Sequence, residues 1–228
     1  MLGGMSWESS TVYYQLVNRE VQKRLGGIHS AKVLMYSFDF GEIEALQAAG
    51  KWDEATAMLA EIGQTLARGG ADFLMICCNT MHLMADAVER VAGIPLLHIA
   101  DATGEAIRAK GLTRVGLVGS RHTTGKSGIV TDRLKQKFGL DIIVPDAADR
   151  AEIHRIIVEE MCKGQFLDSA RATHKRVFAD LVAHGAQGII LGCTEIPILI
   201  RPEDAAVPLF DTTTLHALAA VDFALRQR

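Results

Sequence analysis

Two segments of this chain share one pattern at a shift of 115 residues, from Cys78 to Cys193. Each begins with Gly-Ala, continues as an apolar run and ends at a cysteine followed by polar residues. Residues 70–80 read GADFLMICCNT, and residues 185–195 read GAQGIILGCTE. The same shift places 2–5 over 117–120, and 94–97 resembles 207–210 at a slightly different shift. The repeat predicts two similar folding units.

The composition is that of a globular protein. Apolar residues make up 49% of the 228 residues and charged residues 22%, which is enough to bury a sizeable core. A net charge of −3 without a basic stripe argues against nucleic-acid binding. The N-terminus lacks the pattern of a signal peptide, and no apolar run is long enough to cross a membrane. We therefore expect a cytoplasmic protein with reduced cysteines.

Short apolar segments alternate with longer amphipathic ones. This alternation predicts an α/β fold with mostly parallel sheets. The predicted strands are 33–37, 72–77, 95–99, 114–118, 141–144 and 187–191. The predicted helices are 8–24, 41–47, 53–68, 81–91, 101–109, 127–138, 149–162, 168–184 and 213–226.

The first half begins abruptly. A full strand, 114–118, precedes the Gly119-Ser120 turn in the second half, whereas only Met1 and Leu2 precede the matching Gly-Gly in the first. Either the first strand is shortened or the true start of the chain lies several residues upstream, and we favour a shortened start.

Cys78 and Cys193 each follow a predicted parallel strand, at the sheet edge where open α/β folds bind ligands. Backbone N–H groups and helix dipoles at this edge favour anions and lower a thiol pKa. Two opposed thiols could invert a carbon centre, because one removes a proton from one face and the other delivers a proton to the opposite face. The alternative is that both cysteines are small buried hydrophobes.

The neighbouring residues have simpler interpretations. Cys77 points to the opposite side of the strand from Cys78 and is expected in the core, and Cys162 is expected to be structural. Asn79 and Thr80 are candidate N-cap residues of helix 81–91. His82, one turn beyond Cys78, either orients a polar group near the site or caps local structure.

One segment superficially resembles a nucleotide-binding loop. Gly119 to Ser127 follows a strand and precedes a helix and ends in Gly-Lys-Ser, but five residues separate the glycines where a P-loop has four. The Gly119-Ser120 turn is better interpreted as a cradle for a substrate carboxylate. The eight histidines show no metal-binding spacing, and no C-x-x-C pair occurs, so no metal is expected.

At these motifs the chain resembles the aspartate/glutamate racemase family of cofactor-independent amino-acid racemases. The similarity rests on LGGMSWESS at 2–10, CNTMH at 78–82, HIADAT at 98–103, GCTEIP at 192–197 and PLFDTT at 208–213. It covers essentially the whole chain. Thr194-Glu195 is similar to the aspartate-racemase branch, because the glutamate-racemase branch usually has Thr-His there.

The resemblance implies two pseudo-symmetric Rossmann-like α/β domains with the active site between them. It assigns 1–95 plus 208–228 to the first domain and 96–207 to the second. It also implies a homodimer, no cofactor and two catalytic bases. Cys193 would take the proton from the L-isomer and Cys78 from the D-isomer.

The expected activity is therefore racemisation of an acidic amino acid, aspartate or glutamate or both. The resemblance and the turn pattern together give a set of candidate substrate-binding residues: Met5, Gln47, Asn79, Thr80, Ser120, Lys163, Thr194 and Glu195. Glu195 could tune Cys193 or bind the substrate ammonium. Two alternatives remain at this point, namely an isomerase or decarboxylase of a dicarboxylic acid and a non-catalytic amino-acid-binding module.

Overall fold

Strands and helices alternate along the chain, as the sequence predicts. A computed structural model describes residues 1–125 and 128–226 of the protein. The strands are β1 (Leu2–Gly3), β2 (Tyr36–Ser37), β3 (Leu74–Met75), β4 (Leu96–Leu97), β5 (Arg114–Val118), β6 (Asp141–Ile143), β7 (Ile189–Leu191) and β8 (Leu209–Asp211). The helices are α1 (Trp7–Leu25), α2 (Phe40–Ala48), α3 (Trp52–Arg68), α4 (Ala85–Ala92), α5 (Ile99–Ala109), α6 (Ile129–Phe138), α7 (Ala147–Glu159), α8 (Asp168–Ala183), α9 (Ile196–Leu199) and α10 (Thr212–Arg226). Short 3₁₀ helices occupy Thr80–Met84, Met161–Lys163 and Pro202–Asp204.

The chain divides into two compact units. Unit 1 comprises Met1–His98 and His216–Arg228, and unit 2 comprises Ile99–Leu215. This division differs from the expected one, which placed 208–228 in the first domain. The difference arises because β8 is hydrogen-bonded along β7, so that it completes the sheet of unit 2.

The sheet of unit 2 has the strand order β6-β5-β7-β8, and all three of its pairings are parallel. In unit 1, β1 pairs with β2 and β3 pairs with β4, also in parallel. A bridge between Leu2 and Ile76 joins the two pairs, which gives the order β2-β1-β3-β4. The two units therefore share one strand order, and the predicted α/β fold with parallel sheets is confirmed.

Strand pairing corrects the alignment of the repeat at its start. In unit 2, Val118 pairs with Leu191, and in unit 1, Leu2 pairs with Ile76, the residue that corresponds to Leu191. Leu2 thus occupies the position of Val118 and not that of Leu117. The one-residue difference was invisible in the sequence, because both candidate positions are apolar. β1 has two residues and β5 has five.

In each unit, helices cover both faces of the sheet. In unit 2, Ile189 and Leu191 of β7 pack on α7 and α8, while Ile190 between them packs on α5 and α6. In unit 1, Leu74 and Ile76 face α3 and α4. Met75 and Cys77 face α1 and α10 instead. This alternation makes the strands apolar on both sides, which explains their unbroken apolar runs.

Several segments differ from the predicted elements, including the following. The strand β8 was missed, because Pro208 and Asp211 leave only a short apolar run between them. The predicted helix 81–91 begins as the 3₁₀ helix Thr80–Met84 before α4. The predicted helix 127–138 is observed as α6, and Lys126 and Ser127 of the loop before it lie outside the described residues. Among the described residues, no helix has the length and apolar character needed to span a membrane.

Candidate functional site

In unit 2, two glycines bring the ends of β5 and β7 together. A Cβ atom on Gly119 would lie 2.7 Å from the Gly192 carbonyl oxygen, and one on Gly192 would lie 2.6 Å from Leu117 Cδ1. The close backbone approach places the Ser120 turn and Cys193 at the same carboxyl edge of the sheet. Ser120 Oγ lies 3.2 Å from Thr123 Oγ1, and the Thr123 N–H donates to the Ser120 carbonyl, so this turn is held by its own hydrogen bonds.

Cys193 has a carboxylate as its immediate partner. It lies two residues beyond β7, and its thiol donates a hydrogen bond to Glu195 Oε2 over 2.8 Å. Glu195 is only 1% exposed. The hydroxyl of Thr194 lies 3.4 and 3.3 Å from the two carboxylate oxygens. Cys193, Thr194 and Glu195 therefore form one polar group inside an apolar surrounding.

The sequence-based expectation of a lowered thiol pKa is wrong for Cys193. Burial raises the pKa of this thiol well above its ordinary value, and the negative charge of Glu195 and the neighbouring Cys162 raise it further. Desolvation and a like charge both disfavour the thiolate, and here they outweigh the backbone dipoles at the strand end. Cys193 is accordingly a protonated thiol at neutral pH.

In unit 1, Cys78 occupies the corresponding position. It lies two residues beyond Ile76, the last paired residue of this strand, just as Cys193 lies two residues beyond Leu191. Cys78 is partly exposed, whereas Cys77 is fully buried in the cluster on the opposite face of the sheet. The prediction that Cys77 belongs to the core is confirmed.

The segment after Cys78 is a 3₁₀ helix, Thr80–Met84, with Asn79 at its N-cap position. The Asn79 side chain makes no capping hydrogen bond, although it is only 2% exposed. The capping role suggested for Asn79 from the sequence is therefore not observed. Gln47 reaches the same segment, because its Nε2 lies 2.9 Å from Met81 Sδ.

His82 and two further histidines form a buried group behind Cys78. His82 Nδ1 lies 2.8 Å from the carbonyl oxygen of Cys78. The His82 ring centre is 4.6 Å from that of His98 and 5.6 Å from that of His216. Tyr13 Oη lies 3.1 Å from His216 Nδ1. Sequence reasoning singled out His82 alone, because Tyr13, His98 and His216 carry no local motif that relates them to Cys78.

The remaining candidates have less direct positions. Met5 is buried in the core of unit 1. The N–H of the preceding Gly4 already donates to Ser10 Oγ over 2.8 Å, so this turn does not offer that amide to a substrate carboxylate. Lys163 is exposed at the end of the 3₁₀ helix Met161–Lys163 in unit 2. Cys162 beside it packs against the same apolar cluster as Cys193.

Each unit carries a cysteine and neighbouring polar side chains at the end of its strands. Unit 2 brings Ser120, Cys193, Thr194 and Glu195 to one sheet edge. Unit 1 brings Cys78, Asn79 and Thr80 to the end of its own central strands, with Gln47 nearby. Within residues 1–125 and 128–226, no group of three or more His, Cys, Asp or Glu side chains is arranged to hold a metal ion.

Comparison with known proteins relates this chain to racemases. A family model described as Asp/Glu/Hydantoin racemase matches residues 2–220. The structure of a candidate Asp/Glu racemase from Yersinia pestis is 48% identical, with a TM-score of 0.90 over 98% of this chain and 97% of that one. An aspartate racemase homologue from Pyrococcus horikoshii OT3 is 30% identical, with a TM-score of 0.80 over 98% and 97%.

A glutamate racemase from Pseudomonas paraeruginosa is 28% identical over 209 residues, which are 90% of this chain and 73% of that protein. The family match extends over both units and includes both cysteine segments. The resemblance noted in the sequence is therefore confirmed, and the chain belongs to the Asp/Glu/Hydantoin racemase family, a family of isomerases.

Proposed function

We propose that this protein interconverts the L- and D-forms of an acidic amino acid, aspartate or glutamate, with Cys78 and Cys193 as the two bases and without a cofactor. The observation that carries the proposal is the matched placement of the two thiols. Each lies two residues beyond the last paired residue of the corresponding strand, Ile76 or Leu191, in units that share one strand order. An aspartate racemase homologue and a glutamate racemase are among the related proteins.

The protonation state of Cys193 defines the starting point of the reaction. As a protonated thiol it is ready to deliver a proton, which suits the conversion of the D-isomer to the L-isomer with Cys78 as the base. In the opposite direction, Cys193 must first lose its proton. Glu195 Oε2 accepts the hydrogen bond from that thiol and is the group we propose takes this proton.

This transfer converts a neutral thiol beside a carboxylate into a thiolate beside a neutral carboxylic acid. The number of negative charges in the buried group stays at one, so no second charge has to be buried. Thr194 Oγ1 lies near both carboxylate oxygens and would stay in contact with Glu195 throughout. The thiolate then removes the α-proton of the L-isomer, and the Cys78 thiol supplies a proton to the opposite face.

Removal of an α-proton leaves negative charge on the substrate carboxylate, which the protein must stabilise. We propose the polar groups at the two strand ends for this role: Asn79, Thr80, Ser120 and Thr194. Gln47 and Lys163 are proposed to bind the substrate side chain. Lys163 supplies the positive charge that an acidic side chain requires.

The direct test combines proton NMR of amino acids incubated with the protein in D₂O with chiral chromatography of the same samples. Loss of the α-proton signal of aspartate or glutamate, with appearance of the other enantiomer, supports the proposal. Loss of carbon dioxide or a changed carbon skeleton would instead indicate a decarboxylase or another isomerase. Binding without any loss of the α-proton signal would indicate an amino-acid-binding module.

Two single variants then test the bases. In Cys78→Ser and Cys193→Ser, net racemisation should fall by about 10³-fold or more, because each direction needs both groups and serine is a far weaker acid than cysteine. Cys78→Ser should still exchange deuterium into the L-isomer with retention, and Cys193→Ser into the D-isomer. Equal exchange of both enantiomers by both variants would show that neither thiol is the base.

A further inference from the structure

The carbonyl group of Cys78 is held by a side chain. In an α-helix, the backbone N–H of residue 82 would donate to the carbonyl of residue 78. Here the segment is a 3₁₀ helix, and the His82 N–H donates to the Asn79 carbonyl over 3.2 Å. The His82 imidazole contacts the Cys78 carbonyl through Nδ1 at 2.8 Å.

This contact determines where the imidazole carries its proton. A carbonyl oxygen can only accept, so Nδ1 of His82 must be the protonated nitrogen that donates to Cys78. His82 is fully buried, and its ring is bounded by the rings of His98 and His216. The donor is therefore fixed in direction by the surrounding rings.

His216, one of the two rings beside His82, is held by hydrogen bonds at both of its ring nitrogens. His216 Nε2 lies 2.9 Å from the Leu97 carbonyl and must donate to it, which leaves Nδ1 to accept from the Tyr13 hydroxyl over 3.1 Å. Burial, and secondarily the neighbouring His82, lower the pKa of His216 to about 3, so this ring is uncharged at neutral pH. Tyr13 and His216 are both fully buried.

We propose that His82 is a positioning residue for Cys78: its Nδ1–H holds the cysteine carbonyl, and the packed rings of His98 and His216 hold His82, with His216 itself fixed by Tyr13 and Leu97. The inference rests on the proposed function only for its kinetic consequence. A histidine that holds the main chain of one base should matter for the proton transfer of that base and not for the transfer at Cys193.

Two variants of similar size separate this role from simple packing. In His82→Asn the amide N–H₂ occupies roughly the place of Nδ1 and can donate to the Cys78 carbonyl, whereas His82→Leu cannot donate. We expect His82→Leu to lower deuterium exchange into the D-isomer by about 10- to 100-fold, as expected for a misplaced catalytic group. Exchange into the L-isomer, which uses Cys193, should change by less than about threefold. His82→Asn should restore most of the lost rate.

His174 provides a matched control. It is also fully buried, and its Nδ1 lies 2.8 Å from the carbonyl four residues earlier, at Ala170, but within the regular helix α8 of unit 2. His174→Leu should leave the ratio of D-isomer to L-isomer exchange unchanged. An equal loss of both rates in His82→Leu, or a ratio shifted as strongly by His174→Leu, would overturn the inference.

Amide hydrogen exchange measured by mass spectrometry tests the structural part without any substrate. Peptides covering 74–84 should exchange faster in His82→Leu than in the wild type and His82→Asn, with unit 2 peptides unchanged. Unchanged exchange of 74–84 in a folded His82→Leu variant would refute the inference while leaving the proposed function intact. If His82→Leu does not fold, a folded His82→Asn variant with a selective tenfold loss at the D-isomer would refute it. Absence of α-proton loss in the wild type would refute the proposed function alone.

Discussion

The thiol of Cys193, half-buried against the apolar cluster of unit 2, donates its hydrogen bond to the buried Glu195 two residues further along the chain. The carboxylate both raises the pKa of the thiol and offers the place to which its proton can move. Glu195 should therefore slow the alkylation of Cys193, because it disfavours the thiolate. It should also speed the removal of the substrate α-proton, because it accepts the thiol proton.

The first prediction concerns Glu195→Gln. The neutral amide removes the negative charge beside Cys193, so the thiol pKa should fall and alkylation of Cys193 by iodoacetamide at pH 8 should become faster. Exchange of the L-isomer α-proton should nevertheless fall by about 10²-fold, because the acceptor of the thiol proton is lost. Peptide mass spectrometry and NMR in D₂O measure the two rates on the same preparation.

Glu203→Gln is the control for this change, because Glu203 is an exposed carboxylate of the same unit. It should affect neither rate. If Glu195→Gln accelerated both alkylation and L-isomer exchange, Glu195 would only suppress the thiolate and would not accept its proton.

The second prediction concerns the backbone contact between β5 and β7. In Gly119→Ala the new Cβ would lie 2.7 Å from the Gly192 carbonyl oxygen, which is main chain and cannot rotate away. We expect a loss of about 1–3 kcal/mol in the free energy of unfolding, together with slower exchange at Cys193. Gly41→Ala is the control, because its Cβ would meet only the Asp39 side chain at 3.2 Å, within the first turn of α2. Equal stabilities of the two variants in urea would contradict the close approach.

The third prediction concerns alkaline pH. Burial raises the pKa of Cys77 to about 12, from an ordinary value of 9.0. Between these values the unfolded chain releases this proton and the folded chain keeps it, so stability is full below pH 9 and falls as the pH rises to 12. The total is about 4 kcal/mol at about 1.4 kcal/mol per pH unit. In Cys77→Ala the free energy of unfolding should fall less steeply with pH, by about 1.4 kcal/mol per pH unit. Urea unfolding at pH 9 to 11 measures this difference. Parallel curves would contradict the prediction.

The fourth prediction concerns acidic pH. The pKa of His216 is lowered to about 3 by burial. Below pH 6.5 the unfolded chain binds a proton that the folded chain excludes, so this contribution to stability is present above pH 6.5 and is lost as the pH falls towards 3. The difference approaches about 5 kcal/mol. His216→Gln should lose less stability than the wild type over this range. An NMR titration that showed His216 charged at pH 5 would refute the cause.

The strand pattern and the repeat were sufficient to predict the α/β fold and the matched thiols. Apolar runs that are covered on both faces are recognisable in a sequence, because every residue of the run is apolar. Cys78 and Cys193 stand out for a related reason, since the same segment occurs twice at one shift. The opposite direction of Cys77 follows from the two-residue period of a strand alone.

Tertiary structure decided the properties that depend on distant or competing contacts. The Tyr13–His216 and His216–Leu97 hydrogen bonds join residues 203 and 119 positions apart, and no local sequence pattern predicts them. The protonation of Cys193 depended on whether dipoles or desolvation prevail, and only the fold shows that the thiol packs against an apolar cluster beside Glu195. A sequence specifies which groups are available, but pKa values and hydrogen-bond partners follow from the solvent and charges that the folded chain places around them.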